Sequence, residues 1–376
     1  MYSHSFGRSI FATQSRHHPN CQSLDPPLRI AIVSDIHANQ TAFDAVLAHA
    51  KSIGYDKMVC LGDVIGYGPD PVECIDLVQQ HCEWALLGNH DFAVLYEPTN
   101  FNRAAREAVF WTRGETIDGR WLARQIEAAR TKSKDGGADA AARIAQLETE
   151  QRARVDFMFR ISPRKILLDR YICVHASPSK PVNEYLFGED VNENGSKLPR
   201  NFRLLTLPDG KGGDHPACAL VGHTHCPGFI LEELPDAVED ALRAPAAAMP
   251  EREGVSDSVA AILREMNERE SASRTTRDRY DWLPFRAGMS EWTPGPDEMQ
   301  PGCRFILNPG SVGQPRDGDP RACYVMLEVG ENGAADRFTF HRVEYEIVKT
   351  QERILDLIEA GEKLQPWLAE RLATGQ

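Results

Sequence analysis

A chain of 376 residues with 42% hydrophobic content holds enough apolar mass for one large α/β domain with elaborations or two modest ones, which excludes disorder throughout. The formal charge of -13 excludes a broad basic surface for gripping nucleic acid, so an anionic ligand must be attracted locally. The 9 cysteines form no CxxC pair or regular framework, and several fall inside apolar runs, as buried reduced thiols do.

Residues 1–27 are polar, with Arg8, Arg16, His17 and His18. They hold no apolar stretch fit for a signal peptide or a membrane span, so the expectation is a flexible arm on a soluble, cytoplasmic protein with no membrane partner. Leu28 to Val33 is short, apolar and rich in β-branched residues, which predicts a buried strand. From Thr41 to Ser52, Phe43, Val46, Leu47 and Ala50 recur at helical spacing and describe one buried face. Met58 to Leu61 is the next strand. After the glycine-rich loop Gly62 to Gly68, Asp70, Pro71 and Glu73 have the order of an N-cap, a first-turn proline and a capping-box acid, opening a helix through Gln79. Trp84 to Leu87 is a third strand, and this alternation implies βαβ units with a mostly parallel sheet.

Later strands are expected at Ile166–Leu168, Tyr171–Val174, Cys218–Val221, Phe229–Leu231, Arg304–Leu307, Cys323–Leu327 and Arg337–Val343. They succeed one another with few helices, which suggests antiparallel pairing. Two packed sheets flanked by helices accommodate both halves, so residues 28–376 read as one α/β domain. Two stretches interrupt it. Residues 114–159 carry helical periodicity in Trp121, Leu122 and Ile126, a Lys-Asp-Gly-Gly break, then Ile144 and Leu147, as a helical hairpin overhanging the site would. Residues 232–300 are acidic and broken by prolines, as an irregular cap or loop would be, with Val255, Val259, Ile262 and Met266 spaced for one short helix.

Metal-grade side chains follow the apolar runs directly: Asp35 and His37 in SDIH, Asp63 in LGD, Asn89 in GNHD, His175 in VHASP, and His223 and His225 in GHTH. Carboxylates, imidazoles and an amide oxygen form a mixed set suited to divalent first-row metals, and the set exceeds one ion's needs. Strand ends are also where open α/β sheets place their sites. On extended chain, residues two apart point to one side, so Asp35 with His37, and His223 with His225, are expected to share a face. Gly88 is expected to let the chain turn tightly ahead of Asn89, leaving His90 free to handle a proton. Each motif has a bland alternative: helix capping for Asp35, a common turn for Gly62-Asp63, solvated loop histidines for the others. Their conjunction is what argues for a metal centre.

The stretches Leu28–Arg113, Arg164–Leu231 and Arg304 onward, including Asn308-Pro309-Gly310-Ser311-Val312-Gly313-Gln314-Pro315-Arg316, resemble the calcineurin-like metallophosphoesterases, in particular their smaller bacterial phosphodiesterase-type branch. The resemblance implies an α/β/β/α sandwich with a dinuclear site. Asp35, His37 and His225 would hold one metal, Asn89, His175 and His223 the other, with Asp63 between them. The ions would be drawn from Mn, Fe, Ni, Co and Zn, with Mn favoured. Asp63 and His90 are the expected catalytic residues, in a reaction where hydroxide held between the ions attacks phosphorus in line. Arg316, Asn89, Gly310 and Ser311 are expected to hold substrate oxygens, the glycine-rich turn by aiming amides at an anion. Arg113, Tyr67 and Asn102 are weaker candidates. Where protein serine/threonine phosphatases carry Asp and Arg after the GD pair and Glu after GNH, this chain has Gly66, Tyr67 and Asp91. The expected substrate is therefore a small or nucleotide-type phosphodiester. Phosphomonoesters, phosphoproteins and dinucleoside polyphosphates are the alternative substrates, and a non-catalytic interaction scaffold is the alternative class.

Overall fold

The structure is a computed structural model and describes residues 26–132, 138–193, 195–208, 213–232, 279–295, 298–299, 303–330 and 334–376. Its elements in chain order begin β1 (Arg29–Val33), α1 (Gln40–Ile53), β2 (Lys57–Cys60), α2 (Pro71–His81), β3 (Trp84–Ala85), α3 (Asn89–Leu95), α4 (Arg103–Thr116), α5 (Arg120–Lys132) and α6 (Ala138–Arg160). Then come β4 (Arg164–Leu167), β5 (Tyr171–Val174), α7 (Lys197–Arg203), β6 (Thr206–Pro208), β7 (Asp214–Pro216), β8 (Cys218–Leu220) and β9 (Gly228–Glu232). The chain continues through β10 (Tyr280–Pro284), β11 (Glu291–Trp292), β12 (Arg304–Asn308), β13 (Ala322–Glu328), β14 (Arg337–Val343), α8 (Ile347–Glu359) and α9 (Trp367–Glu370), followed by a 3-10 turn at Arg371–Ala373.

Two six-stranded sheets carry the fold, ordered β11-β14-β13-β1-β2-β3 and β10-β9-β12-β8-β5-β4, beside a small β6-β7 ribbon. Alternate side chains of β1 show why four layers result. Ile30 and Ile32 enter the core between the sheets with Leu220, Phe229 and Leu307, while Ala31 and Val33 face Phe43 and Val46 of α1. On the far side, Ile172, Ala219 and Ile306 pack against Leu198 and Phe202 of α7. The result is the expected α/β/β/α sandwich.

Three sequence expectations need correction. The later strands are not uniformly antiparallel: β5, β8 and β12 pair in parallel, as β1, β2 and β3 do, and the remaining strands flank each triplet antiparallel. Short runs with weak helices between them hid the crossover that carries α7. The Asp70 carboxylate does not cap α2; it pairs with Arg353 of α8, a partner distant in sequence. The hairpin at 114–159 also has a different role from overhanging the site. Arg154 of α6 grips Asp76 of α2 through two hydrogen bonds of 2.6 and 2.7 Å, and Met158 enters the core beside α2, so α6 is a wall of the domain.

Residues 279–292 supply an edge strand to each sheet, β10 on β9 and β11 on β14, so this part of the 232–300 stretch is integral to the sandwich. Residues 1–25 and 233–278, with the short helix expected near Val255, lie outside the described residues. Among the described residues the cysteines are free thiols, and no helix is long and apolar enough to cross a membrane.

Candidate metal centre

Every motif follows one of the six parallel strands. Asp35 and His37 come after β1, Asp63 after β2, Asn89 after β3, His175 after β5, His223 and His225 after β8, and the Asn308 to Arg316 string after β12. Both parallel triplets deliver their carboxyl ends to one place, and all of these motif donors are buried there.

Two groups of donors result, Asp35, His37, Asp63 and His225 in one and Asp63, His175 and His223 in the other, with the ligand atoms of each group within 4.8 Å of one another. Asp63 is common to both. Its Oδ2 lies 3.6 Å from His37 Nε2 and 3.3 Å from His175 Nε2. Nε2 of His37 and His225 are 3.1 Å apart, Asp35 Oδ1 is 3.2 Å from His225 Nε2, and Asn89 Oδ1 is 3.2 Å from His175 Nε2. The opposite ring nitrogens are anchored on carbonyls, His175 Nδ1 on Leu61 at 2.9 Å and His225 Nδ1 on Gln314, which turns both Nε2 lone pairs inward.

Electrostatics favours cations here. Burial opposes ionisation of Asp35 and Asp63, yet His225 and His175 outweigh it and hold Asp35 well below the carboxylate range, and His175 and His90 do the same for Asp63. Burial pushes His223 down to about 3, His90 to about 4 and His37 well below its ordinary value, so these rings are neutral. His175 alone runs the other way: burial opposes its charge, but Asp63 and Asp35 lift it to about 9. Two buried carboxylates thus stand without Lys or Arg partners among the described residues, and Asp63 Oδ2 and His223 Nε2 have no hydrogen-bond partner at all. With one charged imidazole, His175, against two buried carboxylates, a net negative charge stays buried at a cost, and the neutral imidazoles beside it are ready donors. The residues fit a dinuclear site.

The local backbone departs from the extended geometry expected of SDIH and GHTH. Asp35 (φ 54°), His37 (φ 50°), Asp63 (φ 52°), His223 (φ 68°) and His225 (φ 61°) are all left-handed. Each such residue costs roughly 1 kcal/mol or more, a strain found where function over-determines the backbone. Gly88 likewise does not turn tightly; its φ and ψ of -83° and 172° are extended. It is needed for close approach, since a Cβ there would sit 2.1 Å from Asp63 Oδ1 and 2.3 Å from Asp63 N. Gly88→Ala is accordingly expected to destabilise the fold by about 1–3 kcal/mol and reduce bound metal, as urea midpoints and elemental analysis would register. An unchanged midpoint with full metal content contradicts this account.

The glycine-rich string corrects another expectation. Val312 N and Gly313 N donate to Ser34 O and Asp35 O at 3.0 Å, Gly310 N donates to Asn308 Oδ1 at 2.8 Å, and Gln314 N donates to Ser311 Oγ at 2.8 Å. Ser311 Oγ itself donates to Asp35 O. Val312, Gly313 and Ser311 hold the strand end that carries Asp35, and Gly310 N and Gln314 N bond within the string, so Gly310 and Ser311 spend these donors on the scaffold. Arg113 and Asn102 are scaffold as well. Arg113 bonds the carbonyls of Ala93 and Val94 at 2.7 Å, and Asn102 caps α4 through Ala105 N at 2.9 Å.

Arg316 remains. Its Nη2 donates to Gln314 Oε1 at 3.0 Å, its Nε is buried without a partner, and its charge depresses the titration of both His90 and His225. His90 is boxed by Tyr67 (centroids 4.2 Å apart), Phe101 (4.8 Å) and His37 (4.9 Å), with Nδ1 unpartnered. Its backbone N–H donates to Asp63 Oδ1 at 2.8 Å, which ties the proton-handling candidate to the shared carboxylate.

Three contributors escaped the sequence. Asp91 accepts from the amides of Gly88 (3.0 Å), Ile65 (3.2 Å) and Val64 (3.3 Å), clamping the GD loop to the GNHD loop. Tyr185 lies flat on His223, centroids 3.9 Å apart at 18°. Its neighbour Glu184 accepts from Ser177 Oγ and Ser179 Oγ at 2.6 Å and pairs with Arg200 at 2.6 Å, fixing the loop after β5. Burial would raise the Glu184 pKa, but the hydrogen bonds from Ser177, Ser179 and Asn201, with Arg200, hold it near about 2. A depressed folded value adds stability above the unfolded carboxyl pKa of about 4.3, and that stability is lost as pH falls through about 2. Glu184→Gln is expected to flatten the acid side of the stability curve in that window, read from urea midpoints against pH. An unaltered slope would remove Glu184 from the account.

Comparison with known proteins agrees with this geometry. A family model described as calcineurin-like phosphoesterase matches residues 28–243. An uncharacterized protein of Methanocaldococcus jannaschii, MJ0912, is 27% identical over 350 residues, covering 92% of this chain and 98% of that protein. The crystal structure of a metallophosphoesterase from Sphaerobacter thermophilus superposes with a TM-score of 0.56 at 28% identity, covering 93% of this chain and all of the other.

Proposed function

The chain belongs to the calcineurin-like phosphoesterase family, a metallophosphoesterase hydrolysing phosphate esters, and from that premise we propose that it is a dinuclear-metal phosphodiesterase acting on a small or nucleotide-type substrate. The observation that carries this reading is the single carboxylate, Asp63, shared by two buried donor groups at the ends of the parallel strands. In it, Asp35, His37 and His225 would hold one ion and Asn89, His175 and His223 the other, with Asp63 common to both donor groups.

Bound ions would supply Lewis-acid charge to the phosphate oxygens and lower the pKa of water between them. The chain's own residues do the rest. Leu61 and Gln314 carbonyls fix the tautomers of His175 and His225. The His90 imidazole, neutral in its buried box, donates a hydrogen bond to the leaving oxygen, and Arg316 holds a non-bridging oxygen of the phosphate.

A diester is favoured over a monoester by charge. Arg316 is the guanidinium whose charge acts on both His90 and His225, and one cationic side chain beside the scissile group suits a diester monoanion better than a monoester dianion. Phosphoprotein phosphatase chemistry is disfavoured by packing. A Cβ at Gly66 would lie 2.6 Å from His90 Nδ1, so an acidic side chain there displaces His90, and Tyr67 fills the neighbouring space. The test is elemental analysis of purified protein, followed by chelation and restoration with Mn, Fe, Co, Ni and Zn in turn. Turnover of bis(p-nitrophenyl) phosphate is then set against p-nitrophenyl phosphate, phosphopeptides and dinucleoside polyphosphates. Metal-dependent turnover led by the diester is expected, with Mn the strongest activator. A preference for any of the other substrates replaces the diesterase reading, and protein that takes up no metal removes it.

A further inference from the structure

The C-terminal turn brings a second guanidinium to the mouth of the metal centre. Arg371 follows α9, whose Leu368 and Ala369 pack with Leu372 against Tyr67, Ala108 and Trp111 in one buried cluster. The turn is therefore held rigidly. Arg371 Cζ lies 6.0 Å from the Tyr67 ring centroid and 4.9 Å from that of Trp367, and Arg316 Cζ also lies 6.0 Å from the Tyr67 centroid. The two cations thus share one aromatic ring, and that ring rests on His90.

Neither arginine has a carboxylate side-chain partner among the described residues. Arg316 donates to Gln314 Oε1, Arg371 Nε donates to Gln376 O at 2.5 Å, and Arg316 Nε is buried without a partner. Burial, then repulsion from Arg316, pulls Arg371 down to about 10, so the pair is close enough to compete for charge. Elsewhere in this acidic chain the buried arginines pair with acids: Arg154 with Asp76, Arg342 with Asp317. Two half-buried cations on one aromatic ring, neither paired with an Asp or Glu side chain among the described residues and one with a buried unpartnered Nε, are suited to an anion.

We propose that Arg371, with Arg316 across Tyr67, binds a second anionic group of the substrate, so that the preferred phosphoester carries another phosphate or carboxylate beyond the one being cleaved. This deepens the phosphodiesterase reading and rests on it. One group sits on the metal donors beside His90 within reach of Arg316, and the other lies beyond it toward Arg371, with Arg316 between the two. Tyr185, stacked on His223 with centroids 3.9 Å apart, adds an aromatic face at the metal centre.

The test is calorimetric binding to metal-loaded protein, and it needs no turnover. Inorganic phosphate is compared with methylenediphosphonate and its propylene homologue, which cannot be hydrolysed. The parent protein is expected to bind at least one bisphosphonate about tenfold or more tighter than phosphate, as charge-assisted contacts to a second group would give. In Arg371→Gln that ratio collapses toward one, and in Arg371→Lys it falls part of the way, since a point charge replaces the fork. A parent without the preference, or a variant that keeps it, overturns the proposal. Diesterase turnover measured in parallel separates the two ideas, because absent turnover defeats the catalytic reading while the affinity ratio still reports on Arg371.

Discussion

Asp63→Ala is expected to lose on the order of 10³-fold or more in turnover, because several kcal/mol of charge stabilisation from a bound ion goes with the shared ligand. Bound metal should fall by at least one ion per chain. Asp63 Oδ2 stands between His37 and His175 at 3.6 and 3.3 Å, so without it no carboxylate joins the two donor groups. The variant also strips His90 N–H of its acceptor at 2.8 Å, loosening the helix start that presents the imidazole. Asp63→Asn separates these effects: an amide oxygen still accepts from His90 N–H, but the charge is gone. It should keep more of the fold's thermal stability than alanine while losing metal comparably. Full activity with full metal content in Asp63→Ala would take this residue out of the site.

His90→Ala is expected to cost roughly 10²- to 10⁴-fold in turnover with metal content unchanged. The imidazole is buried against Tyr67, Phe101 and His37, and neither donor group includes it. Its Nδ1 has no hydrogen bond to lose, so the variant forfeits ring packing alone and is expected to fold with a lowered urea midpoint. A structural role and a leaving-group role differ in one readout. If His90 stabilises the leaving oxygen, the deficit should shrink for p-nitrophenolate and grow for an alkoxide. A deficit independent of the leaving group makes His90 a positioning residue, and undiminished activity on an alkyl ester gives it no part in the reaction.

Much of the centre was legible because short apolar runs mark strands, and in this fold the carboxyl ends of six parallel strands meet. Reading the polar residues after each run therefore found Asp35, His37, Asp63, Asn89, His175, His223 and His225 together. What stayed hidden is non-local or conformational. Asp and His take a left-handed backbone more often than most residues but still rarely, so extended geometry is the default for SDIH and GHTH. Gly310 and Ser311 looked like an anion cradle because the glycine-rich string has that composition; the carbonyls of Ser34 and Asp35 that claim its amides lie far away in the chain. Glu184, Tyr185 and Arg371 lie in segments with no motif, and only packing brings them to the opening. The parallel pairing of β5, β8 and β12 was masked for a related reason, as a crossover with one short helix leaves little periodic signal.

The left-handed conformation of five of the seven donors bears on how such a chain would drift if its chemistry ceased to matter. Glycine adopts that backbone without the steric cost borne by aspartate and histidine, so selection for a folded chain alone would favour replacing these positions early. Bulky, polar residues on an unfavourable backbone at these five positions fit a demand for donor atoms rather than for folding alone.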